Sequence, residues 1–309
     1  MSRNETITLV VVCYERELNM LALLARSVAT HASDDLLTEI LIIDNSIGQP
    51  DFAHRIEARA MSEFGRFRTR AKILSATDLG VVVAGTGGGY TSQQALKLEV
   101  SRVVSTDYYL LFDAKNHLAT RLDASELFAA DGRPLAERTI HTDYLAACQR
   151  ASFEFWGATA APEAPTLPTV TPYLMVTHVV RRMLDEIESR GRSVQETIAE
   201  DTKRTEFLLY AGYLERDGAV DTTYGSRSRA SATLYARWPQ DNPTIERVIA
   251  SAGTAGAYAM GVHARRFVQL QDRHIELIAR RWLDFGIVDS IESGAAFIRA
   301  EARGDETAD

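Results

Sequence analysis

The sequence predicts an α/β fold, in which a central and mostly parallel sheet is flanked by helices. Short runs of branched apolar residues alternate with segments whose apolar residues recur at helical spacing. This alternation is typical of an open parallel sheet with helices on both faces. The runs are apolar at consecutive positions, which indicates strands buried on both faces. With 309 residues, the chain is long enough for one large core.

The first half of the chain supplies the strands of this predicted sheet. The run ITLVVVCY at 7–14 is bounded by charged residues and predicts the first strand. EILIIDNS at 39–46, AKILSA at 71–76 and YYLLFD at 108–113 predict three further strands. Apolar spacing predicts helices between them, in ERELNMLALLARSVATHA, FAHRIEARAMSEFG and SQQALKLEVSRVV, the last at 92–104.

The second half is expected to be mainly helical. The segment 157–172 holds four of the eight prolines, so it predicts an irregular connection. One helix is expected in VTHVVRRMLDEIESRG, ending at Gly191, and another in SVQETIAEDTKRTEFLLYAGYLERDG, ending at Gly218. RFVQLQDRHIELIARRWLDFG and SIESGAAFIRAEARG predict the last two helices.

We expect these elements to form a single domain over residues 1–303. Residues 1–135 would form one half and residues 136–303 the other, with the final helices in the second half. The remaining residues, 304–309, predict a disordered and solvated tail.

Composition restricts the classes of function. Acidic residues outnumber basic ones by 42 to 34, a net charge of −8, so no general field attracts nucleic acid or an anionic membrane surface. Cys13 and Cys148 are the only cysteines, which is too few for a disulfide scaffold and favours a reducing compartment. The polar N-terminus does not resemble a signal peptide, and no apolar run approaches the length of a transmembrane segment. We expect a cytoplasmic protein that binds no nucleic acid, and the sequence leaves its oligomeric state open.

Two predicted strands end in acidic residues. Asp44 and Asp113 each follow an apolar run, and ligands of open parallel sheets bind beyond the carboxyl ends of the strands. Lys115 and Asn116 come directly after Asp113 and Ala114. Because a carboxylate after five apolar residues requires a partner, Asp113 is expected to pair with Lys115, bind a divalent metal, or contact solvent and sugar hydroxyls. The sequence leaves these alternatives open.

Two neighbouring segments are further candidates for ligand contact. The glycines of VVVAGTGGGY at 81–90 could bind phosphate, but they lack the spacing of a dinucleotide fingerprint or a P-loop. The segment is equally compatible with a surface loop and with a loop that closes over a ligand. In the helix that follows, Gln94 and Lys97 share one face, with Gln93 beside them. That face is either solvated or in contact with a substrate, where Lys97 could neutralise a phosphate.

The order of these segments resembles the nucleotide-sugar-binding half of GT-A glycosyltransferases. The resemblance lies in VVVCYERE, in IIDNS, and in QQALKLEVSRVVSTDYYLLFDAKNHL. More narrowly, a Q-Q-x-x-K-L helix before a Y-Y-L-x-x-D-A strand is similar to an uncharacterised bacterial family of GT-A-like proteins. The resemblance covers roughly the first 135 residues and continues only through TEFLLY at 205–210. It implies a GT-A fold, a nucleotide-sugar donor, and a hydroxyl acceptor that is a glycan, lipid-linked or a small molecule, as in polysaccharide biosynthesis.

The resemblance also implies roles for individual residues in binding the donor. In GT-A enzymes the end of the first strand and the acid after the second strand hold the nucleotide. The positions that match here are Cys13, Tyr14, Arg16 and Asp44. Residues near the third helix and the fourth strand complete the predicted donor-binding set, namely Gln94, Lys97 and Asn116.

Asp113 matches the first acid of the Asp-x-Asp motif, which holds a divalent metal and the diphosphate in GT-A enzymes. Lys115 stands in place of the second acid. This departure implies weak affinity for Mn²⁺ or Mg²⁺ and leaves metal-independent transfer open, with Lys115 stabilising the leaving group. The position of His263 roughly matches that of a second ligand for a metal or the diphosphate. The alternative is that His263 is a polar residue at a helix start. Arg265 and Arg266 beyond it pair either with phosphate or with acidic residues.

Glu206 is the expected general base of an inverting transfer, because related proteins carry an acid before an aromatic residue at this place. Tyr210 is four residues further on and shares its helical face. The alternative is that Glu206 is a surface acid, as we expect for Glu200 and Asp201 in the charged run beside it. The predicted catalytic set is therefore Glu206, Asp113 and Lys115.

Two other classes of function are alternatives to a transferase. The incomplete Asp-x-Asp motif is compatible with a non-catalytic protein of the same fold that binds a nucleotide sugar or a glycan. A Rossmann-type oxidoreductase ranks last, because the glycine cluster comes late in the chain instead of after the first strand. The scattered histidines and the lack of a Gly-x-Ser-x-Gly motif disfavour zinc and serine hydrolases.

Overall fold

The computed structural model describes residues 5–83, 88–159, 163–254 and 256–306. The strands are β1 (Ile7–Cys13), β2 (Leu37–Asp44), β3 (Ala71–Ser75), β4 (Tyr108–Asp113), β5 (Asn116–Leu118), β6 (Leu135–Glu137), β7 (Tyr173–Val176), β8 (Gly225–Arg227), β9 (Ser231–Leu234) and β10 (Ala259–Val262).

The helices alternate with these strands in the first half and dominate the second. They are α1 (Leu18–His31), α2 (Phe52–Arg59), α3 (Gly88–Glu99), α4 (Ala124–Leu127), α5 (Asp143–Trp156), α6 (Thr177–Ser189), α7 (Val194–Glu200), α8 (Glu206–Arg216), α9 (Val220–Thr223), α10 (Asn242–Ser251), α11 (Ala264–Phe267), α12 (Asp272–Asp284) and α13 (Ile291–Glu306). Short 3-10 helices cover Glu15–Glu17, Met61–Arg70, Thr77–Leu79 and Val100–Arg102.

The main sheet has the strand order β3-β2-β1-β4-β7. Its first four strands are parallel, and β7 runs antiparallel to β4. The predicted fold class is confirmed. Along β1, Cys13 is in register with Asp44 of β2, and Val12 is in register with Asp113 of β4. The two acids therefore lie at the same carboxyl edge of the sheet, on either side of β1.

Two hydrophobic cores cover the two faces of this sheet. Side chains alternate across a strand, so successive residues of β1 enter different cores. Leu9 and Val11 pack with α1, α2 and the C-terminal helices, whereas Val10 and Val12 pack with α3, α6 and α8. Every residue of β1 is buried, as its uninterrupted apolar sequence predicts.

A three-stranded sheet, in the order β5-β10-β9, adjoins the carboxyl end of β4. β5 begins at Asn116, three residues after β4 ends at Asp113, and it pairs antiparallel with β10. β9 pairs parallel with β10. This arrangement carries the segments after β9 and β10 toward the edge where Asp113 lies.

Several elements differ from the sequence predictions. The helix expected over 193–218 is two helices, because the backbone is extended at Asp201 and Thr205, which end α7 and begin α8. The helix expected over 266–286 is also divided, since α11 and α12 form separately, whereas the last expected helix corresponds to α13. The strand β7 was missed, since four residues before a helix give no clear period. Helix α13 continues to Glu306, and residues 307–309 of the predicted tail lie outside the described residues.

In the part of the chain that the structure describes, no helix combines the length and the apolar character that crossing a membrane requires.

Candidate active site

A cavity of about 640 Å³ lies at the carboxyl edge of the main sheet. Its walls come from the segments that follow β1, β2 and β4, from α3, and from the first residues of α8 and α11. Its lining includes Tyr14, Glu15, Glu17, Asn45, Ile47, Tyr90, Lys97, Asp113, Lys115, Leu145, Thr169, Glu206, Phe207, Ala236, His263 and Arg265.

Four charged side chains form a cluster in the wall of this cavity. The ammonium group of Lys97 lies 3.0 Å from Oδ1 of Asp113 and 3.1 Å from Oε1 of Glu206. Lys115 pairs with the other carboxylate oxygen of Asp113. The side chains of Lys97 and Glu206 are only 7% and 8% exposed, so these ion pairs are largely shielded from solvent. The structure thus brings together the three predicted catalytic residues and Lys97.

The cluster holds Asp113 and Lys97 in their charged forms. Burial raises the pKa of Asp113, but Lys115 and Lys97 outweigh it and hold that pKa well below its usual range. Burial lowers the pKa of Lys97, but Asp113 and Glu206 outweigh it and hold that pKa above its usual value. The result is a fixed pair of ammonium groups beside an open cavity.

Glu206 owes its position to the first turn of α8. An acid in the first turn is favoured by the helix dipole, and the backbone N–H of Glu206 donates to Oε1 of Gln94 at 3.3 Å. Gln94 is itself buried and supports the backbone of Glu206 from behind, and its contact with the donor stays a prediction. The ring of Phe207 lies 5.1 Å from the Lys97 ammonium and closes the cluster on that side. The prediction that Gln94 and Lys97 share a helix face is confirmed, and that face is buried.

Glu17 lines the same cavity and was missed in the sequence. Its Oε2 atom is enclosed and, among the described residues, has no hydrogen-bond partner. Burial raises the pKa of Glu17 to about 8, and the charge of Asp113 adds to this rise, while Lys115 and Lys97 oppose it. The signal that could have identified it is the charged triplet ERE directly after the first strand. Glu17 is therefore an additional carboxyl group beside the cluster.

At the end of β2, the cavity is lined by Asn45 instead of Asp44. Oδ1 of Asp44 accepts a hydrogen bond from the backbone N–H of Ser46 at 2.8 Å, which fixes its own turn. Asn45 donates to the carbonyl oxygen of Gly89 at 3.0 Å and accepts from the Ser92 hydroxyl at 2.7 Å. The Asn45 side chain thereby joins the end of β2 to the start of α3.

Three other predicted donor-binding residues are not among the described walls of the cavity. Cys13 is fully buried at the end of β1, and Arg16 is exposed. Asn116 is fully buried, and its Oδ1 accepts a hydrogen bond from the Thr171 hydroxyl at 2.9 Å. Asn116 therefore organises the interior of the small sheet. Tyr14 lines the cavity, as a direct contact with a ligand requires.

The predicted metal ligands Asp113 and His263 both line the cavity. Both carboxylate oxygens of Asp113 are paired with lysines. His263 caps α11, because its Nδ1 accepts from the backbone N–H of Arg265 at 3.2 Å. Across the described ranges, no group of three or more His, Cys, Asp or Glu residues is arranged to hold a metal ion. A divalent ion at Asp113 would have to displace one of these ammonium groups, and the role of Asp113 and His263 in binding a metal stays a prediction.

The glycine-rich segment lies only partly within the described residues. Residues 84–87 are outside them, so the predicted phosphate-binding or closing loop is not described. Helix α3 begins at Gly88, and Tyr90 in its first turn lines the cavity. The acids Glu200 and Asp201 are placed at the end of α7, where Glu200 pairs with Arg204 at 2.8 Å on the surface.

The strand order and the cavity at the carboxyl edge of the sheet are those of an open α/β fold, and the match to solved structures shows that this fold is the GT-A-like fold of glycosyltransferases. A solved active-site mutant of LgtC matches with a TM-score of 0.50 and 13% identity, over 89% of this chain and 96% of that chain. LgtC, described as a galactosyltransferase, in complex with donor and acceptor sugar analogues gives a TM-score of 0.49 at 13% identity and the same coverage. Mouse xyloside xylosyltransferase 1 gives a TM-score of 0.44 at 12% identity, over 83% of this chain and 97% of that chain.

The chain belongs to DUF6492, a family of unknown function whose profile matches residues 4–241. No curated protein matches this chain. The family assignment covers the main sheet, the charged cluster and the first residues of α8, so all four residues of the cluster lie inside the matched segment.

Proposed function

We propose that this protein is a glycosyltransferase that moves a sugar from a nucleotide-sugar donor to a hydroxyl acceptor without a divalent metal. The observation that carries the proposal is the pair Lys97 and Lys115 in the wall of a large cavity at the carboxyl edge of the sheet. Open α/β sheets bind nucleotides at that edge. The GT-A-like fold supports the reaction class.

The two lysines would supply the positive charge that the leaving group requires. As the bond between the anomeric carbon and the diphosphate oxygen breaks, its electron pair passes to the diphosphate, and negative charge develops there. Lys97 and Lys115 are already fixed by Asp113, so little reorganisation is needed when this charge develops. Tyr14 and Asn45, at the ends of β1 and β2, would contact the nucleoside.

Glu206 would accept the proton of the acceptor hydroxyl. As that oxygen forms its bond to the anomeric carbon, the proton passes to the Glu206 carboxylate, so the products are a glycoside and a nucleoside diphosphate. Glu206 lines the cavity, where its Oε1 lies 3.1 Å from the Lys97 ammonium. Displacement from the face opposite the leaving group would invert the anomeric configuration.

The proposal is tested by titrating the purified protein with UDP, GDP, CDP and dTDP, with EDTA or with Mn²⁺. We expect at least one nucleotide to bind in EDTA, with an affinity that Mn²⁺ changes little. Each matching nucleotide sugar should also be hydrolysed slowly without an acceptor. Binding of none of the four nucleotides under either condition would refute the proposal, and binding only with Mn²⁺ would refute its metal-independent form.

The role of Glu206 is tested with Glu206→Gln, which keeps the shape of the side chain. Loss of a general base lowers turnover by about 10²- to 10⁴-fold, so donor hydrolysis should fall by that amount while nucleotide binding persists. Glu200→Gln is the matched control, because Glu200 is an exposed acid at the end of the preceding helix. Equal hydrolysis by the two variants would remove Glu206 from the mechanism.

A non-catalytic sugar-binding protein is the second candidate. It is favoured by the fact that Asp113 and Glu206 are already paired with Lys97, as in a purely structural ion cluster. Nucleotide binding without any donor hydrolysis by the wild-type protein would support this function over transfer.

A further inference from the structure

A second cavity, of about 80 Å³, lies beside the candidate active site. Its walls include Glu137 at the end of β6 and Thr233 in β9. The segment after β9 supplies Tyr235 and Trp238, and Arg229 lies at its rim. This cavity, which we call the Trp238 cavity, has no role in the function proposed above.

The two cavities share two walls. Thr169 lines the active-site cavity, and the next residue, Val170, lines the Trp238 cavity. In the same way, Tyr235 lines the Trp238 cavity, and the next residue, Ala236, lines the active-site cavity. At these two places a single backbone segment borders both cavities.

Charged groups from the walls of both cavities act on the hydroxyl of Tyr235. Burial raises the pKa of Tyr235 to about 12, and the charge of Glu137 adds to the rise. Asp113, in the charged cluster, also contributes to it. The charge of Arg229 opposes this rise.

Trp238 differs from the other tryptophans of the chain. Its residue surface is 50% exposed, whereas Trp156 is 4% exposed and Trp282 is fully buried. The backbone N–H of Tyr235 donates to the carbonyl oxygen of Trp238 at 2.9 Å, which closes a tight turn. The rings of Tyr235 and Trp238 lie 6.5 Å apart. An indole is thus held on a turn at the rim of the cavity, with a large part of it facing solvent.

The chemistry of the Trp238 cavity matches that of a sugar ring. A pyranose has a face of C–H groups and a rim of hydroxyl groups, so it is recognised by an aromatic face together with polar side chains. Trp238 supplies the aromatic face. The polar groups are the Glu137 carboxylate, the Arg229 guanidinium and the hydroxyls of Ser231 and Thr233, which lie 2.7 Å apart.

We propose that Trp238 and this cavity bind a pyranose ring of the acceptor, so that the acceptor is a glycan. This inference rests on the proposed glycosyl transfer and specifies its acceptor class. The donor nucleotide would lie at the ends of β1 and β2, and the acceptor would lie on the far side of Asp113, beyond β4. A cavity of this size holds only part of a ring, so the remainder of the glycan would lie across the exposed indole.

The experiment uses the fluorescence of Trp238 as the reporter. The full chain is titrated with lactose, cellobiose, maltose and N,N′-diacetylchitobiose, and tryptophan emission and its quenching by acrylamide are recorded. Buried Trp156 and Trp282 are shielded from acrylamide, so the quenched emission arises from Trp238. We expect at least one disaccharide to reduce quenching in a saturable way. No change with any of the four would overturn the inference.

Calorimetry on two variants then tests the contact itself. Trp238→Phe keeps an aromatic face and should bind the same disaccharide within about threefold of wild type, whereas Trp238→Ala should bind it about 10-fold more weakly. Leu283→Ala, which changes an exposed side chain on α12, is the control and should bind as wild type does. Wild-type affinity in Trp238→Ala would overturn the inference, and the aromatic variant provides the comparison if the alanine variant does not fold.

The two proposals fail in different ways. A protein that binds a nucleoside diphosphate but shows no response to the disaccharides keeps the proposed transferase function and loses the glycan site at Trp238. A protein that responds to a disaccharide but binds no nucleoside diphosphate loses the transferase function, and the Trp238 cavity is then a glycan-binding site without donor chemistry.

Discussion

The ends of β2 and β4 look alike in the sequence and differ in the folded protein. Each is an apolar strand that ends in aspartate at the same edge of the sheet. Asp44 accepts a hydrogen bond from the backbone N–H of Ser46, which stabilises the turn after β2. Asp113 instead pairs with Lys97 and Lys115 and anchors a cluster in the cavity wall.

The difference arises from the partners that tertiary structure brings to each strand end. Lys97 comes from α3 and Glu206 from α8, and both are remote from Asp113 in sequence. Backbone N–H groups satisfy Asp44 locally, whereas the buried Asp113 requires cations. An acid at a strand end is thus only a candidate for function, and the charges delivered by other elements decide its role.

The largest loss of stability is expected for Lys97→Met, which removes the ion pairs of Lys97 with Asp113 and Glu206. The variant leaves Glu206 buried without its cation and removes one of the two cations of Asp113. Breaking a buried ion pair costs about 3 to 5 kcal/mol, and we expect the free energy of unfolding, measured by urea denaturation, to fall by that amount.

Lys72→Met is the control for this measurement. Lys72 pairs with Glu39 at 3.0 Å, but its side chain is 63% exposed. Exposed ion pairs contribute about 0 to 1 kcal/mol, so this variant should stay close to wild type. Similar losses in the two variants would show that the cluster at Asp113 is not shielded from solvent.

The next largest effect is a dependence of stability on pH, which arises from Glu17, the additional carboxyl group beside the Asp113 cluster. Its pKa of about 8 in the folded protein lies above the ordinary value of 4.5, so the folded state holds this proton more tightly than the unfolded state. The resulting stabilisation is present below pH 4.5 and is lost as the pH rises through 8. The charges that act on Glu17 are Asp113, Lys115 and Lys97.

Glu17→Gln removes this titration. We expect the variant and wild type to have similar unfolding free energies near pH 5. Near pH 8.5 the variant should be more stable by an amount on the order of 2 kcal/mol, because Glu17 is partly exposed and solvent screens part of the effect. Urea denaturation at four pH values measures the difference. Parallel pH profiles for the two proteins would contradict the raised pKa of Glu17.

The sequence allowed the four parallel strands of the main sheet to be predicted, because their signals are local. Uninterrupted apolar runs gave β1, β2, β3 and β4 with their carboxyl ends, and hence the edge that carries Asp113. The break between α7 and α8 was missed, although residues 201–205 are all polar and the backbone is extended at Asp201 and at Thr205.

The composition of the site was predictable only in part. Asp113 and Lys115 are two residues apart, so their pairing was one of the alternatives that the sequence left open, and it forms across the turn between β4 and β5. The contacts of Lys97 with Glu206 and the role of Asn45 depend on how α3 and α8 pack, which no local pattern encodes. The burial of Asn116 likewise depends on β10 and on Thr171, which lie far from it in sequence.

A smaller effect is expected at Asn45, the residue next to Asp44. Asn45→Ala removes the bonds to Gly89 and Ser92 and leaves the buried Ser92 hydroxyl with one acceptor fewer. We expect a loss of about 1 to 2 kcal/mol in unfolding free energy. Nucleoside diphosphate affinity should fall as well, because this bridge fixes the start of α3 at the cavity. Unchanged affinity in a folded variant would show that the start of α3 does not contribute to nucleotide binding.

The smallest effect is expected for Asp44→Ala, which completes the comparison of the two strand ends. The substitution removes one local hydrogen bond to the backbone N–H of Ser46, which is close enough to solvent to be hydrated instead. We expect about 0.5 to 1 kcal/mol of destabilisation and little change in nucleotide affinity by calorimetry. If Asp44→Ala instead abolishes nucleotide binding while Asn45→Ala does not, Asp44 must leave its turn when the ligand enters. The two strand ends would then both contribute an acid to the site, as the sequence alone suggests.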